Sequence, residues 1–575
     1  MKRLAWMIFA LAACNGSSEQ TCDTWTQWGQ GPAHAGAVCA TGQPLARVLA
    51  RVVYDPFNAD EVADPASRGG SLLVHYQAPL LMGDDVYMMS RGGTYTPCTV
   101  SPPPQNVVLC DDYRKDSMTW LEKGFRWEGG NLVEKWTFTS DWKPVPGQSF
   151  EPMFQPAVSG DFMYLPGGGG SIYQVDRHTG QMVRQVKAFG DTLDPDTYVA
   201  GGLAIDGDGA VWYTAIKLDH DRPYGADAQG WLVKVPPAGV ADARTLASIV
   251  TGAPAADAMC IGVFNRSANP LPWPPPDDVN GNPAVPPSFP CGGQRPGINA
   301  VPAIGADGTV FIVSKAHFND RYSYVTAVRP DMTTKWATAM RDFIDDACGV
   351  IIPADDQVFN CRAGARMGVD PSTNDKPAGR VIDSSSSSPV ALPDGGVLYG
   401  SYTGYNGSRG HLVKVSAGGQ LVAAYDFGWD STPALYRKGD TYSVILKENN
   451  YGQDETGTPL GPYYITQLNQ NLTREWQYLH TDTESCDRDA TGQMVCVSDH
   501  PNGFEWCINA PAVDADGTVY ALSENGRLYA IRQGGTMRDS FFLERTLGAA
   551  YTPLAIDAAG RIYAMNFGVL SVIGN

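Results

Sequence analysis

The chain has 575 residues, with 61 acidic against 42 basic side chains and a formal net charge of −19. A surface of that sign repels phosphate backbones and anionic lipid headgroups, so nucleic-acid binding is excluded as the expected role. Length alone would allow three or four domains, but single all-β folds often run past that average.

The N-terminus reads as an export signal. Lys2 and Arg3 precede an apolar stretch from Leu4 to Ala13, which is too short for a permanent membrane span. The small pair Ala12 and Ala13 directly before Cys14 resembles the bacterial lipobox, which implies lipidation of Cys14 after removal of residues 1–13. Residues 14–24 then form a tether, and Asn15 after the cysteine resembles the outer-membrane pattern. The expected location is the cell envelope, lipid-anchored on the outer membrane. Cysteine usage agrees with an oxidising compartment. Pairing by proximity gives Cys22 with Cys39, Cys98 with Cys110, Cys260 with Cys291, Cys348 with Cys361, and Cys486 with Cys496. Cys507 is left over.

From residue 78 onward one pattern recurs eight times, at 78–87, 155–164, 202–213, 301–311, 388–399, 432–442, 510–520 and 552–563. Each copy is a short apolar strand, usually opened by proline and a small residue. A Gly/Asp turn and an alternating aromatic strand follow. Asp-Gly and Gly-Asp supply the positive φ that a tight hairpin demands. Third and fourth strands come next, for example at 171–176 and 182–186. Four antiparallel strands repeated radially make a propeller blade, so the expected fold is all-β, one eight-bladed β-propeller over residues 25–575. The eighth copy supplies only three strands before residue 575. Residues 45–54 resemble a fourth strand and are expected to close that last blade.

Residues 25–36, with Trp25, Trp28 and the run Pro32-Ala-His-Ala-Gly36, resemble the N-terminal signature of quinoprotein-type propellers. With the repeats, this makes the chain similar to the pyrroloquinoline-quinone-like propeller superfamily. The resemblance implies the fold over nearly all of the chain but leaves the role open. That superfamily holds quinone-dependent alcohol dehydrogenases and also the outer-membrane-assembly propeller lipoprotein, a scaffold without a cofactor. The enzymatic alternative would bring pyrroloquinoline quinone with calcium. No two cysteines are adjacent, no Cys-x-x-Cys-His occurs, and no catalytic triad is recognisable. The reading therefore leans to a non-enzymatic binding or scaffold protein with a protein or glycan partner.

Repeat spacing locates the extra chain. Pro389 to Pro433 spans 44 residues, about one bare blade, whereas Pro302 to Pro389 spans 87. The additions fall between blades (55–76, 252–298, 342–386, 481–508) and between second and third strands (91–117, 218–229, 402–409, 447–461). Both loop classes emerge on one face of an antiparallel blade, which is where recognition is expected. Residues just before the inner strands should converge at the channel mouth. They are Gln77, Gln155, Asn299, Ser387, Ser431, Asn509 and Tyr551, a neutral polar ring able to hold a small polar ligand or only to hydrate the channel. Trp273 among prolines reads either as an exposed aromatic platform or as packed against a neighbouring loop. The Asp-Gly turns at Asp206 and Asp514 hint at calcium but lack a full oxygen cage, and the scattered histidines indicate no zinc site.

Overall fold

The computed structural model describes residues 24–63, 76–96, 117–148, 152–264, 273–341, 343–344, 346–350, 361–383, 385, 387–403, 410–427, 431–450, 460–489, 491–549 and 551–575. Cys14, Cys22, Cys98 and Cys110 lie outside them. The architecture is an all-β propeller of eight blades. Their inner strands are Leu80–Met82, Ala157–Ser159, Ala204–Ile205, Ala303–Ile304, Val390–Ala391, Ala434–Lys438, Ala512–Val513 and Ala555–Ile556. In all but the last blade the strands follow one another outward in chain order, and all pair antiparallel.

The repeat has a physical cause at its turn. The carboxylate of Asp206 accepts the backbone N–H groups of Asp208 and Ala210, and its second oxygen accepts Trp212 Nε1 at 2.7 Å. The same arrangement joins Asp514 to the Tyr520 hydroxyl at 3.2 Å and Asp557 to the Tyr563 hydroxyl at 2.9 Å. Gly209, Gly517 and Gly560 close these turns at positive φ. The recurring Asp and the aromatic six residues later thus clamp the hairpin, and the chain's own donors occupy the carboxylates that hinted at calcium. Second strands are walled in by neighbouring blades, and all seven residues of Val310–Ala316 are buried. This explains their near-continuous apolar runs.

The last blade is completed from the other end of the chain. Arg47–Val53 pairs antiparallel with Val569–Gly574, from Arg47 opposite Gly574 to Val53 opposite Val569. This is the closing strand expected at 45–54.

The segment before it does more than lead in. Trp25 exchanges both backbone hydrogen bonds with Leu81 of the first blade, and Thr26 O accepts Val158 N of the second. The Gln27 amide pairs with both backbone groups of Ile205 in the third blade. The carbonyls of Pro32, Ala33, Ala35 and Gly36 then accept N–H groups from Ile304, Ala391, Leu435 and Val513, one in each of blades four to seven. Gln43 N reaches Gly560 O in the eighth. Residues 25–43 therefore circle the channel and bind seven inner strands in turn, and the hairpin that follows the eighth. Trp25, Trp28 and His34 are all fully buried, and His34 Nδ1 lies 2.8 Å from Pro389 O. Burial lowers the His34 pKa to about 4, so the ring stays neutral at pH 7.

Candidate functional site

The two faces differ as the spacing implies. On the face that carries the first-to-second and third-to-fourth strand turns, the longest connection is 236–241, between Val235 and Asp242. On the other face, 246–302 and 340–389 separate consecutive blades. Two insertions on this face, 246–302 and 480–511, carry two-stranded ribbons of their own. Met259–Ile261 pairs with Ser288–Pro290, and Glu484–Arg488 pairs with Met494–Ser498. Disulfides join Cys260 to Cys291, Cys348 to Cys361 and Cys486 to Cys496. Cys39 is disulfide-bonded, and Cys507 is a buried free thiol.

Buried ion pairs fix the insertions to the blades. Arg91, at the end of Asp85–Gly93, is enclosed between Asp55 and Glu61 of the loop that enters the first blade. Arg295 makes a two-pronged contact with Asp383 at 2.7 and 2.6 Å, and Lys315 Nζ meets the same carboxylate at 2.8 Å. Arg321 pairs with Asp370 at 2.6 Å, and His411 Nε2 lies 2.7 Å from Asp346. Such pairs gain little net energy against apolar packing, but breaking one strands a charge, so they hold a loop in one place. The insertions also grip each other. Phe264 N donates to Ser372 O at 2.9 Å, and Arg362 donates from its backbone N–H to Trp273 O and from Nε to Pro274 O. Trp273 is only 4% exposed and packs edge-on to Phe264, which removes the exposed-platform reading.

Between these insertions opens a cavity of 260 Å³. Its walls include Tyr224, Phe289, Arg295, Lys315, His317, Asp320, Arg321 and Arg380. Tyr224 stacks on His317 with an interplanar angle of 10°. Arg295 Nε donates to His317 Nδ1 at 2.9 Å, so Nε2 carries the proton and donates to Ala226 O at 3.0 Å. Burial, followed by the Arg295 charge, lowers the His317 pKa to about 4, and the ring is a neutral flat surface at pH 7. Burial would raise the Asp383 carboxyl, but Arg295 and Lys315 outweigh it and hold the group well below the usual carboxylate range.

The seven mouth residues form struts between blades. Gln77 Nε2 donates to Pro152 O, and Gln155 Oε1 accepts Ala78 N at 2.7 Å. Asn299 Oδ1 accepts Met153 N at 3.0 Å, Ser387 Oγ donates to Ser431 O, and Asn509 Oδ1 accepts Thr432 N at 2.6 Å. Tyr551 lies under Lys447 Nζ, 3.9 Å from the ring centre. None of the seven is a carboxylate, and the amide oxygens of Gln155, Asn299 and Asn509 already face blade N–H groups. The ring does not fit a calcium-bound quinone.

A cluster that sequence reasoning missed lies close to that rim. Glu505, Cys507 and Glu524 bring their ligand atoms within 4.8 Å of one another, the spacing of residues that could hold a metal ion. Cys507 Sγ donates to Glu524 Oε1 at 3.2 Å. Burial and then the Glu524 charge raise the Glu505 pKa to about 8, while Lys447 pulls it down. Burial also pushes up the Cys507 thiol. The visible signal was Cys507 alone, because Glu505 and Glu524 look like ordinary loop acids. Glu484 also lies near Cys486 and Cys496, but those two sulfurs are in a disulfide.

No protein-family model matches the chain. No curated protein matches it either. Among solved structures, a europium-containing methanol dehydrogenase aligns at 10% identity and TM-score 0.46, covering 95% of this chain and 89% of that one. Quinohemoprotein alcohol dehydrogenase from Comamonas testosteroni aligns at 9% identity and TM-score 0.46, covering 96% and 77%. BamB from Moraxella catarrhalis aligns at 13% identity and TM-score 0.35, covering 79% and 88%. The chain is similar to these proteins over most of its length.

Proposed function

We propose that this is an exported, lipid-anchored propeller of the cell envelope that binds a protein or glycan partner through its long-loop face. One observation carries the reading. The insertions on that face are interlocked, ion-paired to the blades and bridged by disulfides, while the opposite face is cut back to short turns. Loops ordered in advance lose less entropy when a partner docks, which favours recognition. The basic and apolar start ending at Cys14, together with the disulfides, supports the compartment. The interblade struts and the absence of vicinal cysteines leave the quinone reading without an observation in its favour.

The test is photo-crosslinking of the full-length protein in the intact envelope. Tyr224, Val263 and Met367 are 48%, 49% and 76% exposed on the long-loop face, and Val240 is 89% exposed on the short-turn face. A photoreactive residue at each of the first three positions is expected to give partner adducts, and one at Val240 none. Adducts from Val240 alone, or from no position, would contradict the proposal.

A further inference from the structure

Glu505, Cys507 and Glu524 form a mixed thiol and carboxylate cluster on the long-loop face. Two fixed pieces of chain bring them together. Trp506 is fully buried and its ring meets Tyr478, His480 and Tyr529. The Asn449 side chain holds the Trp506 backbone N–H and carbonyl, each at 3.2 Å. With Trp506 fixed in that aromatic core, its neighbours Glu505 and Cys507 both reach the cluster. Glu524 sits in the turn between Val519–Leu522 and Arg527–Arg532. There Glu524 N donates to Glu505 O at 3.1 Å, and Leu547 N donates to Glu524 O at 2.7 Å.

The three donors have few partners of their own. Cys507 is 1% exposed, and its Sγ donates to Glu524 Oε1 at 3.2 Å. No described residue hydrogen-bonds to the Glu505 carboxylate, although burial is the strongest influence on it. An enclosed acceptor without a donor is costly unless a proton or a cation meets it. Lys447, with Nζ 3.9 Å from the Tyr551 ring centre, acts on all three groups and lowers them. Burial first, and then the Glu524 charge on Glu505 and Cys507, still leaves all three raised. The cluster therefore favours an added cation. Its donor set selects which one. A sulfur donor disfavours calcium and magnesium, which take oxygen, whereas zinc accepts sulfur and carboxylate oxygen together. In a zinc tetrahedron such donors stand about 3.4–3.6 Å apart. Here the ligand atoms lie within 4.8 Å of one another, so closure asks for roughly 1 Å of side-chain movement. The scatter of the histidines argued against zinc, but none of these donors is a histidine.

We infer that Glu505, Cys507 and Glu524 bind one zinc ion, with a fourth position left open to water or to a donor atom of a docked partner. The Sγ–zinc bond forms as the thiol proton leaves, and no electron is transferred. Competition with a chromogenic chelator tests this on the metal-stripped, full-length protein with its disulfides intact, using zinc and calcium as separate probes. One equivalent of zinc is expected to bind at this cluster, and calcium is not expected to compete. Loss of a group that merely orients a metal ligand costs about 10–100-fold in affinity. Cys507→Ser and Glu524→Gln remove direct ligands, so each is expected to weaken zinc at least about 100-fold. Glu484→Gln, beside the Cys486–Cys496 disulfide, should change nothing. Cobalt in place of zinc gives a second reading, a sulfur-to-metal charge-transfer band in the wild type that Cys507→Ser abolishes. That band is read on the wild type, so the test stands even where a variant does not fold. No zinc binding, no cobalt–sulfur band, equal competition by calcium, or zinc binding unchanged in a folded Cys507→Ser protein overturns the inference.

Discussion

A chain that begins at residue 55 does not unfold in one cooperative transition. Two losses combine in that truncation. The last blade keeps only Ala555–Ile556, Ile562–Asn566 and Val569–Gly574, so the edge that Arg47–Val53 covered is left open. The channel-circling segment disappears as well, and with it hydrogen bonds to seven inner strands and to the hairpin of the eighth blade. Two buried tryptophans go too, each worth about 3–5 kcal/mol on truncation to alanine. Against a typical domain stability of about 5–15 kcal/mol, that loss is not survivable. A graded version is Trp28→Ala in the full chain. Trp28 donates from Nε1 to Tyr76 O at 2.9 Å and meets His34 edge-on, and its removal should cost about 3–5 kcal/mol in denaturant unfolding. A truncated chain that melts like the whole protein would refute the closure.

Asp383→Asn is expected to destabilise the protein by about 3–5 kcal/mol, although it changes no apolar contact. The change leaves Arg295 and Lys315 buried, at 1% and 8% side-chain exposure, without the carboxylate they share. The pH dependence has a definite sign. Because the folded carboxyl titrates below its unfolded value of about 3.9, its stabilisation is complete above that pH. It is lost as acid carries the solution down toward the folded pKa. The difference in stability between wild type and variant should be constant from neutral pH to about 4 and shrink below it. Other groups cancel in that difference, including Glu505, whose raised pKa acts in the opposite sense. Urea unfolding at several pH values gives the result directly. A gap that stays constant into strong acid would mean the pairing is not as drawn.

The blades were legible because their signal is local. The Asp of each turn, the glycine at positive φ and the aromatic at fixed distance recur within about a dozen residues, and Asp206, Asp514 and Asp557 all follow it. The closing strand was legible because one blade lacked a partner. The path of residues 25–43 was not. It has no strand periodicity, and its hydrogen bonds reach residues as distant as Val513 and Gly560, so only the Trp and His of the signature drew attention.

The site was less readable for a related reason. Arg91 and Lys315 sit near the ends of otherwise apolar strands, where a charged residue normally marks emergence into solvent. Here each is buried by an aspartate from an interblade insertion. A cation in an apolar strand that runs toward a long loop was the available signal. Trp273 is covered by Phe264 and by Arg362, contacts that no local pattern announces. The mouth residues precede the inner strands, but the amides of Gln155, Asn299 and Asn509 face other blades, which sequence spacing does not reveal.

Hydrogen exchange on the full-length protein tests the ring most directly. The amide protons of Val158, Ile304, Ala391, Leu435 and Val513 all donate to the channel-circling segment. They should exchange together, only through global unfolding and at the slowest rate in the molecule. If these five exchange as fast as the amides of surface turns such as 177–181, the segment does not line the channel and the ring is not sealed by its own N-terminus.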